Sequence, residues 1–217
     1  MRLRHKPWAE DYLKESPWVI NTPEEQKGKW NELFGNSNPL ALEIGMGKGQ
    51  FIEKHSKLHP EVNYIGIEKY PSVQVISIQR LERTTNTEET KNLRFLSVNA
   101  ENLKEYFAKE EVDQIYINFP DPWPKARHDK RRLLYRNFLA KYWDVLKEGG
   151  VVEFKTDQQP LYEFALEELE EFKKFNIIYK TEDLHSEETD IVTTEYEEKF
   201  VSMGNPIYKI TFKKEGK

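Results

Sequence analysis

The stretch Leu40-Ala41-Leu42-Glu43-Ile44-Gly45-Met46-Gly47-Lys48-Gly49-Gln50 decides the fold, because it joins an apolar strand to a helix through three closely spaced glycines. Residues 40–44 form the short apolar run of a buried strand, and residues 50–58 have a helical period. Glycines between a strand and a helix let a ligand approach the backbone closely. The stretch therefore predicts an α/β sheet with a small-molecule site after its first strand.

Short apolar runs and helical periods alternate along the rest of the chain. Strands are predicted at residues 40–44, 62–68, 93–98, 112–118, 150–155, 175–180 and 207–212. Helices are predicted at residues 50–58, 72–83, 103–107, 130–147 and 158–173. This alternation is typical of a parallel sheet with right-handed crossovers. The last two strands lack a helix between them, so we expect an antiparallel hairpin at the sheet edge, joined by residues 181–198.

Residues 1–38 do not follow the alternating pattern. Prolines interrupt them repeatedly, and their large apolar side chains are candidate anchors: Trp8, Trp18, Trp30 and Phe34. We expect an N-terminal basic arm with short helices that packs on the body. Residues 39–217 are then one α/β domain.

Composition limits the possible classes of protein. The chain has 217 residues, of which 37% are hydrophobic, so it can form a real core. It has no cysteine, which excludes disulfides and thiolate chemistry. The sequence contains no apolar run of membrane-spanning length and no apolar signal core, so a cytoplasmic protein is expected. The net charge of −5 argues against indiscriminate nucleic-acid binding, although basic residues cluster at 2–6 and 125–132.

Two acidic residues at the ends of predicted strands indicate which ligand the glycine loop binds. The third glycine comes one residue too early for the dinucleotide fingerprint, and Glu43 would repel a pyrophosphate. Glu43 would instead attract a cationic group such as the amine and sulfonium of S-adenosylmethionine. Glu68 has the spacing of an acid that binds ribose hydroxyls, and Asn99 follows the third strand, where it could meet an adenine edge. The predicted cofactor is S-adenosylmethionine.

A rigid acidic loop follows the fourth predicted strand. Pro120, Pro122 and Pro124 exclude helix and central strand, and Asp121 lies between the first two. In a doubly wound sheet the loops after the first and fourth strands face one another, so we expect Asp121 to face a transferable methyl group. Guanine N7 has a free lone pair, so its attack on that methyl needs no proton removal. Asp121 would then act by stabilising charge.

A basic cluster follows the acidic loop directly. Its candidates for phosphate contacts are Lys125, Arg127, Lys130, Arg131 and Arg132. Lys125 has a second possible role in contacting the target base, and Trp123 either stacks on a base or braces the loop. His128 is interpreted as a residue at the start of the helix predicted at 130–147, and Asp129 as that helix's cap.

These motifs resemble those of the bacterial tRNA (guanine-N7-)-methyltransferases, which use S-adenosylmethionine to modify a guanine of the tRNA variable loop. The resemblance spans nearly the whole chain. It rests on Met1-Arg2-x-Arg4 with Lys6-Pro7-Trp8, Glu43-Ile44-Gly45-x-Gly47-x-Gly49-Gln50-Phe51, Tyr64-Ile65-Gly66-Ile67-Glu68, Asp121-Pro122-Trp123-Pro124-Lys125 through Arg132, Phe154-Lys155-Thr156-Asp157, and Thr194-Glu195-Tyr196-Glu197-Glu198-Lys199-Phe200. It implies a Rossmann-like class I methyltransferase fold with a seven-stranded, mostly parallel sheet in the order 3-2-1-4-5-7-6 and helices on both faces.

The resemblance also implies roles for individual residues. Asp121 would be catalytic. Cofactor contacts would come from Glu43, Gly45, Gly47, Glu68, Asn99 and Asp121. The target guanine would be held by Lys125, Asp157, Thr194, Glu195, Tyr196 and Glu197. The tRNA would contact Arg127, His128, Asp129, Lys130, Arg131 and Arg132. The family usually has an acid where this chain has Asn99, so we expect a weaker grip on adenine. The expected partner is tRNA, without membrane or metal, for a monomer or homodimer.

Three other functions fit parts of the sequence. Residues 118–121 faintly resemble the Asn-Pro-Pro-aromatic loop of amino-group methyltransferases, which would direct the methyl to adenine N6, although Phe119 replaces the first proline. A non-catalytic RNA-binding protein would use the basic cluster alone. An NAD-dependent oxidoreductase is disfavoured by the glycine spacing and by Glu43.

Overall fold

The structure is a computed structural model that describes residues 5–187 and 192–216. The chain divides into two compact units, Met1–Ala108 and Lys109–Lys217. The basic residues at positions 1–4, which belong to the predicted N-terminal arm, lie outside the described residues.

Seven strands form among the described residues: β1 (Leu40–Ile44), β2 (Asn63–Ile67), β3 (Leu93–Leu96), β4 (Val112–Asn118), β5 (Leu146–Thr156), β6 (Phe175–Thr181) and β7 (Tyr208–Lys214). Their order in the sheet is β3-β2-β1-β4-β5-β7-β6. The pairs β1 with β2, β2 with β3, and β4 with β5 are parallel, whereas β7 is antiparallel to both β5 and β6. The predicted strand order and the antiparallel β6–β7 pair are confirmed. The prediction that no helix lies between these two strands is wrong, because Leu184–Glu187 and Glu195–Ser202 are helical.

The α-helices of the described residues are α1 (Ala9–Lys14), α2 (Trp30–Phe34), α3 (Gln50–Leu58), α4 (Pro71–Thr84), α5 (Leu103–Tyr106), α6 (Arg136–Val145), α7 (Gln159–Phe172), α8 (Leu184–Glu187) and α9 (Glu195–Ser202). In the first unit, β1 and β2 are buried along their whole length. That burial explains their nearly continuous apolar sequence, because parallel strands are covered on both faces. Among the described residues no helix is long and apolar enough to cross a membrane.

The N-terminal segment packs within the first unit. Helix α1 lies against α4, and the Lys6 N–H donates to Ser72 Oγ at 2.8 Å. The Trp18 indole is buried and donates to Thr90 Oγ1 at 2.8 Å. The indole of Trp30 is also buried and donates to a backbone carbonyl at 3.0 Å. Each indole therefore buries its ring while satisfying its N–H.

The helix predicted at residues 130–147 is wrong at both ends. Residues 126–131 form a short 3-10 helix, and α6 begins only at Arg136 after the extended Tyr135. At the other end, Leu146 already pairs with Val112 of β4. The two glycines that suggested a helix stop lie inside β5, where Gly149 has a φ of 77°. A positive φ is easy for glycine, so the pair permits an irregular strand instead of ending a helix.

Candidate active site

The glycine loop of the first unit folds over the end of β2. The N–H groups of Gly45 and Met46 donate to the Ile67 carbonyl at 2.9 and 3.1 Å. Gly45, Gly47 and Gly49 all have positive φ, at 76°, 57° and 74°. A Cβ on Gly47 would have no atom within 4 Å, so the chain leaves open space beside this part of the loop.

Two buried carboxylates accompany the glycine loop. Glu43 is the fourth residue of the buried strand β1. Glu68 follows β2 and is only 7% exposed. It accepts from the N–H of Gly47 at 3.1 Å through one oxygen and from the N–H of Tyr70 at 2.9 Å through the other. Burial raises the pKa of the Glu68 carboxyl, while these hydrogen bonds and the charge of Lys69 oppose the rise.

Asn99 occupies the expected position after β3 but has a local structural task. Its side chain accepts from the N–H of Glu101 at 3.0 Å and caps a short 3-10 helix, Ala100–Asn102. Its amide nitrogen donates to a carboxylate oxygen of the same Glu101 at 3.2 Å. The residue is exposed, so its amide remains within reach of a ligand on the surface.

These residues fit the polar end and the ribose of S-adenosylmethionine. A carboxylate has about four acceptor sites, and the two backbone donors use only part of the capacity of Glu68. Gly47 provides open space, and the buried negative charges of Glu43 and Glu68 suit a cationic ligand with hydroxyl groups. Among the described residues no three His, Asp or Glu side chains are grouped as metal ligands would be.

The acidic loop of the second unit, residues 119–125, has an unusual backbone. Phe119 and Trp123 are not glycine, yet they have φ values of 48° and 41°. Their N–H and C=O groups connect the loop to its surroundings: Phe119 donates to the Lys155 carbonyl at 2.9 Å, and the Trp123 carbonyl accepts from Arg132 at 3.0 Å. Asp121 lies between these two strained residues and is exposed.

The predicted tRNA-binding residues divide into two groups. Arg127, Lys130 and Arg131 are exposed, and the Arg131 guanidinium lies 4.9 Å from the centre of the Trp123 ring. His128 is half-buried against the edge of Trp123, at 5.6 Å between ring centres. It sits inside the 3-10 helix and does not start a long helix. Asp129 also does not cap α6, because it forms an ion pair with Arg132 at 3.0 Å. Arg132 itself is turned towards the acidic loop.

Three elements bring the predicted base-binding residues together in the second unit. Asp157 directly follows β5, and its carboxylate accepts from the Tyr196 hydroxyl at 3.3 Å and from the side-chain amide of Gln158 at 2.6 Å. Tyr196 stacks on Phe200 at 4.3 Å and contacts Phe119 of the acidic loop at 5.1 Å. Burial, followed by the charge and hydrogen bond of Asp157, raises the pKa of Tyr196 to about 12. Lys125, exposed, ends the acidic loop.

Glu197, which was predicted to hold the target guanine, has structural partners. It is fully buried, and its carboxylate pairs with Lys155 at 2.7 Å and with His185 at 3.0 Å. It also forms a capping box with Thr194, whose hydroxyl accepts from the Glu197 N–H at 2.9 Å. The structure therefore uses Thr194 and Glu197 to begin α9. The side chain of Glu195, also expected to hold the base, lies outside the described residues.

Sequence reasoning missed some of the groups that hold this site. The pattern Thr194-x-x-Glu197 is the signature of a capping box and could have revealed the start of α9. The contact between Phe119 and Tyr196 has no such signal, because it joins residues that are far apart in the sequence.

Comparisons with known proteins agree with this arrangement. The family model described as "Putative methyltransferase" matches residues 37–210. A tRNA (guanine-N(7)-)-methyltransferase of Geobacillus sp. (strain WCH70) is 49% identical over 217 residues, covering 98% of this chain and 96% of that protein.

Two solved structures share the fold. The 16S rRNA methyltransferase KamB has a TM-score of 0.68 at 13% identity, covering 87% of this chain and 94% of its own. A mutant 16S rRNA (adenine(1408)-N(1))-methyltransferase from Catenulisporales acidiphilia with cosubstrate SAM has a TM-score of 0.61 at 14% identity, with 89% and 92% covered.

The strand order and the glycine loop with its two carboxylates define a class I S-adenosylmethionine-dependent methyltransferase. This class shares the sheet but varies widely in what it modifies. The near full-length identity narrows the assignment: the chain belongs to the tRNA (guanine-N(7)-)-methyltransferase family.

Proposed function

We propose that this protein transfers the methyl group of S-adenosylmethionine to N7 of a guanine in the variable loop of tRNA. Membership of the family supports the reaction. The observation that supports the choice of substrate is a pair of contacts: Asp157 contacts Tyr196, and Tyr196 contacts Phe119, which lies two residues before Asp121. Exposed cations follow the same loop.

The first unit supplies the cofactor contacts in this proposal. Glu43 and Gly45 hold the cationic amino-acid end, and Gly47 leaves the loop open to it. Glu68 accepts from ribose hydroxyls with the lone pairs that its two backbone donors leave over. When bound, S-adenosylmethionine supplies an electrophilic methyl group on a positively charged sulfur. The predicted adenine contact of Asn99 and the predicted cofactor contact of Asp121 stay predictions.

The second unit recognises the base. The Asp157 carboxylate accepts a pair of hydrogen bonds from guanine N1–H and the exocyclic amine, a pattern that adenine does not offer. The Tyr196 hydroxyl donates to the same carboxylate and so keeps it oriented. Tyr196 is 43% exposed, so its ring offers a surface on which the base stacks. Lys125 contacts the base or an adjacent phosphate.

Asp121 stabilises charge during the transfer. N7 carries a lone pair in neutral guanine, so it needs no base to attack. As the N7–methyl bond forms, the purine becomes positively charged, and a nearby carboxylate lowers the energy of that charge in the transition state. The rigid loop fixes the carboxylate before the reaction, which avoids the cost of reorganising it.

The tRNA backbone contacts the exposed cations Arg127, Lys130 and Arg131. Their guanidinium and ammonium groups suit phosphate oxygens, and such contacts position a nucleic acid without reading its sequence. The proposal includes a cytoplasmic location, where tRNA is available, and a monomer or homodimer. Neither membrane nor metal has a role in it.

Product analysis tests this function. Pure protein is incubated with unmodified tRNA and S-adenosylmethionine labelled in its methyl group, and the tRNA is digested to nucleosides. We expect labelled 7-methylguanosine that maps to the variable loop, with no label in the same tRNA carrying adenosine at that site. Labelled N6-methyladenosine without 7-methylguanosine would contradict the proposal. RNA binding without any cofactor binding would instead support a non-catalytic RNA-binding protein.

A further inference from the structure

The acidic loop adopts a conformation that it cannot hold by itself. Phe119 and Trp123 lie in the left-handed region, which costs roughly 1 kcal/mol or more for each non-glycine residue. Three of the loop's residues are prolines, which have no N–H to donate. The carbonyls of Pro122 and Trp123 therefore depend on donors from outside the loop.

Arg132 supplies those donors. Its Nε donates to the Pro122 carbonyl at 3.1 Å, and its Nη2 donates to the Trp123 carbonyl at 3.0 Å. The planar guanidinium presents its donors in a fixed fork, so one side chain holds two consecutive carbonyls in a defined geometry. These carbonyls belong to the two residues that directly follow Asp121.

Two further contacts hold the Arg132 guanidinium in place. Asp129 pairs with Nη2 at 3.0 Å, and the ring of Phe164 on α7 lies 4.2 Å from the guanidinium carbon. The Arg132 side chain is consequently only 14% exposed. Arg127, Lys130 and Arg131, its basic neighbours, are exposed.

We propose that Arg132 is a positioning residue for Asp121 and not a ligand of the tRNA backbone. It links the acidic loop to α7 through Phe164 and keeps the loop in its strained conformation. The sequence predicted that the positive charge of Arg132 contacts RNA, but this charged side chain holds a loop of the protein itself. This inference rests on the proposed function, because it assigns to Asp121 the catalytic role described above.

The test compares Arg132→Ala with the matched variant Arg127→Ala under single-turnover and steady-state conditions. For Arg132→Ala we expect kcat at saturating tRNA to fall about 100-fold, the effect of misplacing a reacting group by about 1 Å. Its Kd for tRNA and the salt dependence of that Kd should stay within about twofold of the parent. Arg127→Ala should show the reverse: weaker tRNA binding, a smaller salt dependence and a much smaller change in kcat at saturation.

Two more variants keep the test decisive if Arg132→Ala is unstable. Arg132→Lys retains the positive charge but lacks the planar fork that holds the two carbonyls in a fixed geometry, so it should keep tRNA affinity and lose most of kcat. Phe164→Leu leaves every cation of the cluster in place and removes only the ring beneath Arg132, so a reduced kcat with unchanged tRNA binding is expected there too.

The outcomes separate the two proposals. If Arg132→Ala or Arg132→Lys weakens tRNA binding as Arg127→Ala does and keeps the parent kcat at saturation, Arg132 is a tRNA ligand and the inference is wrong. If the parent protein itself makes no 7-methylguanosine, the proposed function fails instead. Rescue of kcat by Arg132→Lys would also overturn the inference, because it would show that charge alone suffices.

Discussion

At the scale of single residues, this protein keeps carboxylates in three different environments. Glu68 is buried beside backbone donors, Asp121 is exposed on a rigid loop, and Glu197 is fully buried with Lys155 and His185 as partners. Burial penalises a charge unless partners compensate it. The three residues therefore suit binding, catalysis and structure respectively, although a sequence shows all three simply as acids.

Glu68→Gln should weaken cofactor binding and remove a pH dependence from the stability of the free protein. Burial raises the pKa of Glu68 in the folded state, so the folded protein binds a proton more readily than the unfolded chain. The contribution of Glu68 to stability is then fully present below the unfolded carboxyl pKa of about 4.3 and is lost as pH rises through the folded value. Gln does not titrate, so the variant's melting temperature relative to the parent's should rise between low pH and pH 7. Its amide has one acceptor oxygen for the two N–H groups that Glu68 binds, so the variant should be the less stable protein at low pH.

The check is a pair of melting curves across pH, together with calorimetry of S-adenosylmethionine binding. The difference in melting temperature, variant minus parent, should fall towards low pH, where Glu68 in the parent is protonated. The cofactor affinity should fall at least about tenfold, because a neutral amide accepts more weakly from hydroxyls. A difference that stays the same at every pH would show that the burial of this charge costs the fold nothing.

Asp121→Asn should lower turnover without weakening tRNA binding. The amide has nearly the shape of the carboxylate but carries no charge to balance the positive purine, so we expect kcat to fall about 100-fold. Filter binding measures tRNA affinity, and single-turnover methylation measures the chemical step. A variant as fast as the parent would remove Asp121 from the mechanism.

At the scale of elements, glycines that look alike in the sequence have different tasks. Gly49 immediately precedes α3, and a Cβ there would lie 2.4 Å from Ser77 Oγ and 3.0 Å from Ser77 Cβ. Gly47 has the same left-handed backbone but open space around it. Close packing of α3 against α4 thus requires glycine at position 49, whereas at position 47 only the left-handed backbone favours glycine and the open space suits the proposed cofactor.

Gly49→Ala and Gly47→Ala should therefore separate stability from cofactor binding. We expect Gly49→Ala to cost about 2 to 3 kcal/mol of unfolding free energy, from overpacking and backbone strain together. Gly47→Ala should cost only about 1 kcal/mol, from strain, while reducing affinity for S-adenosylmethionine. Urea denaturation and calorimetry measure the two quantities. Equal losses of stability in both variants would contradict this division.

The elements also show how far a sequence can predict this fold and site. The strands of the first unit are buried on both faces, so their apolar runs predict β1, β2 and β3 within two residues of their observed ends. Around Arg132 the helical spacing of apolar residues led to a wrong prediction of helix, because Leu134 is buried but does not lie in a helix. There the conformation depends on contacts from Arg132 to the acidic loop, which no local pattern encodes. The same reason hid the structural role of Arg132 and the ion pair of Glu197 with Lys155, whereas the capping box of Glu197 has a local signature.

At the scale of the whole molecule, the net charge of −5 conceals local groups of opposite charge, one in each unit. The first unit holds the buried carboxylates that suit a cationic cofactor, and the second holds the exposed cations that suit tRNA. A negative protein binds RNA only through a local positive cluster, so its affinity should depend on few contacts. Cofactor and RNA contacts can then be changed separately by substitutions in different units.

The double variant Arg127→Ala with Arg131→Ala tests this separation against Glu43→Gln. Each phosphate contact contributes slightly less than one to the slope of log K against log salt concentration, so the double variant should lower the slope by about two. Its affinity for S-adenosylmethionine should match the parent's. Glu43→Gln should do the opposite, because it removes a buried negative charge from the first unit and leaves the cations of the second unchanged. Fluorescence anisotropy of labelled tRNA between about 50 and 200 mM salt gives the slope, and calorimetry gives the cofactor affinity. An unchanged slope in the double variant would mean that the tRNA backbone is held elsewhere. A reduced slope in Glu43→Gln would mean that the carboxylates of the first unit influence RNA binding as well.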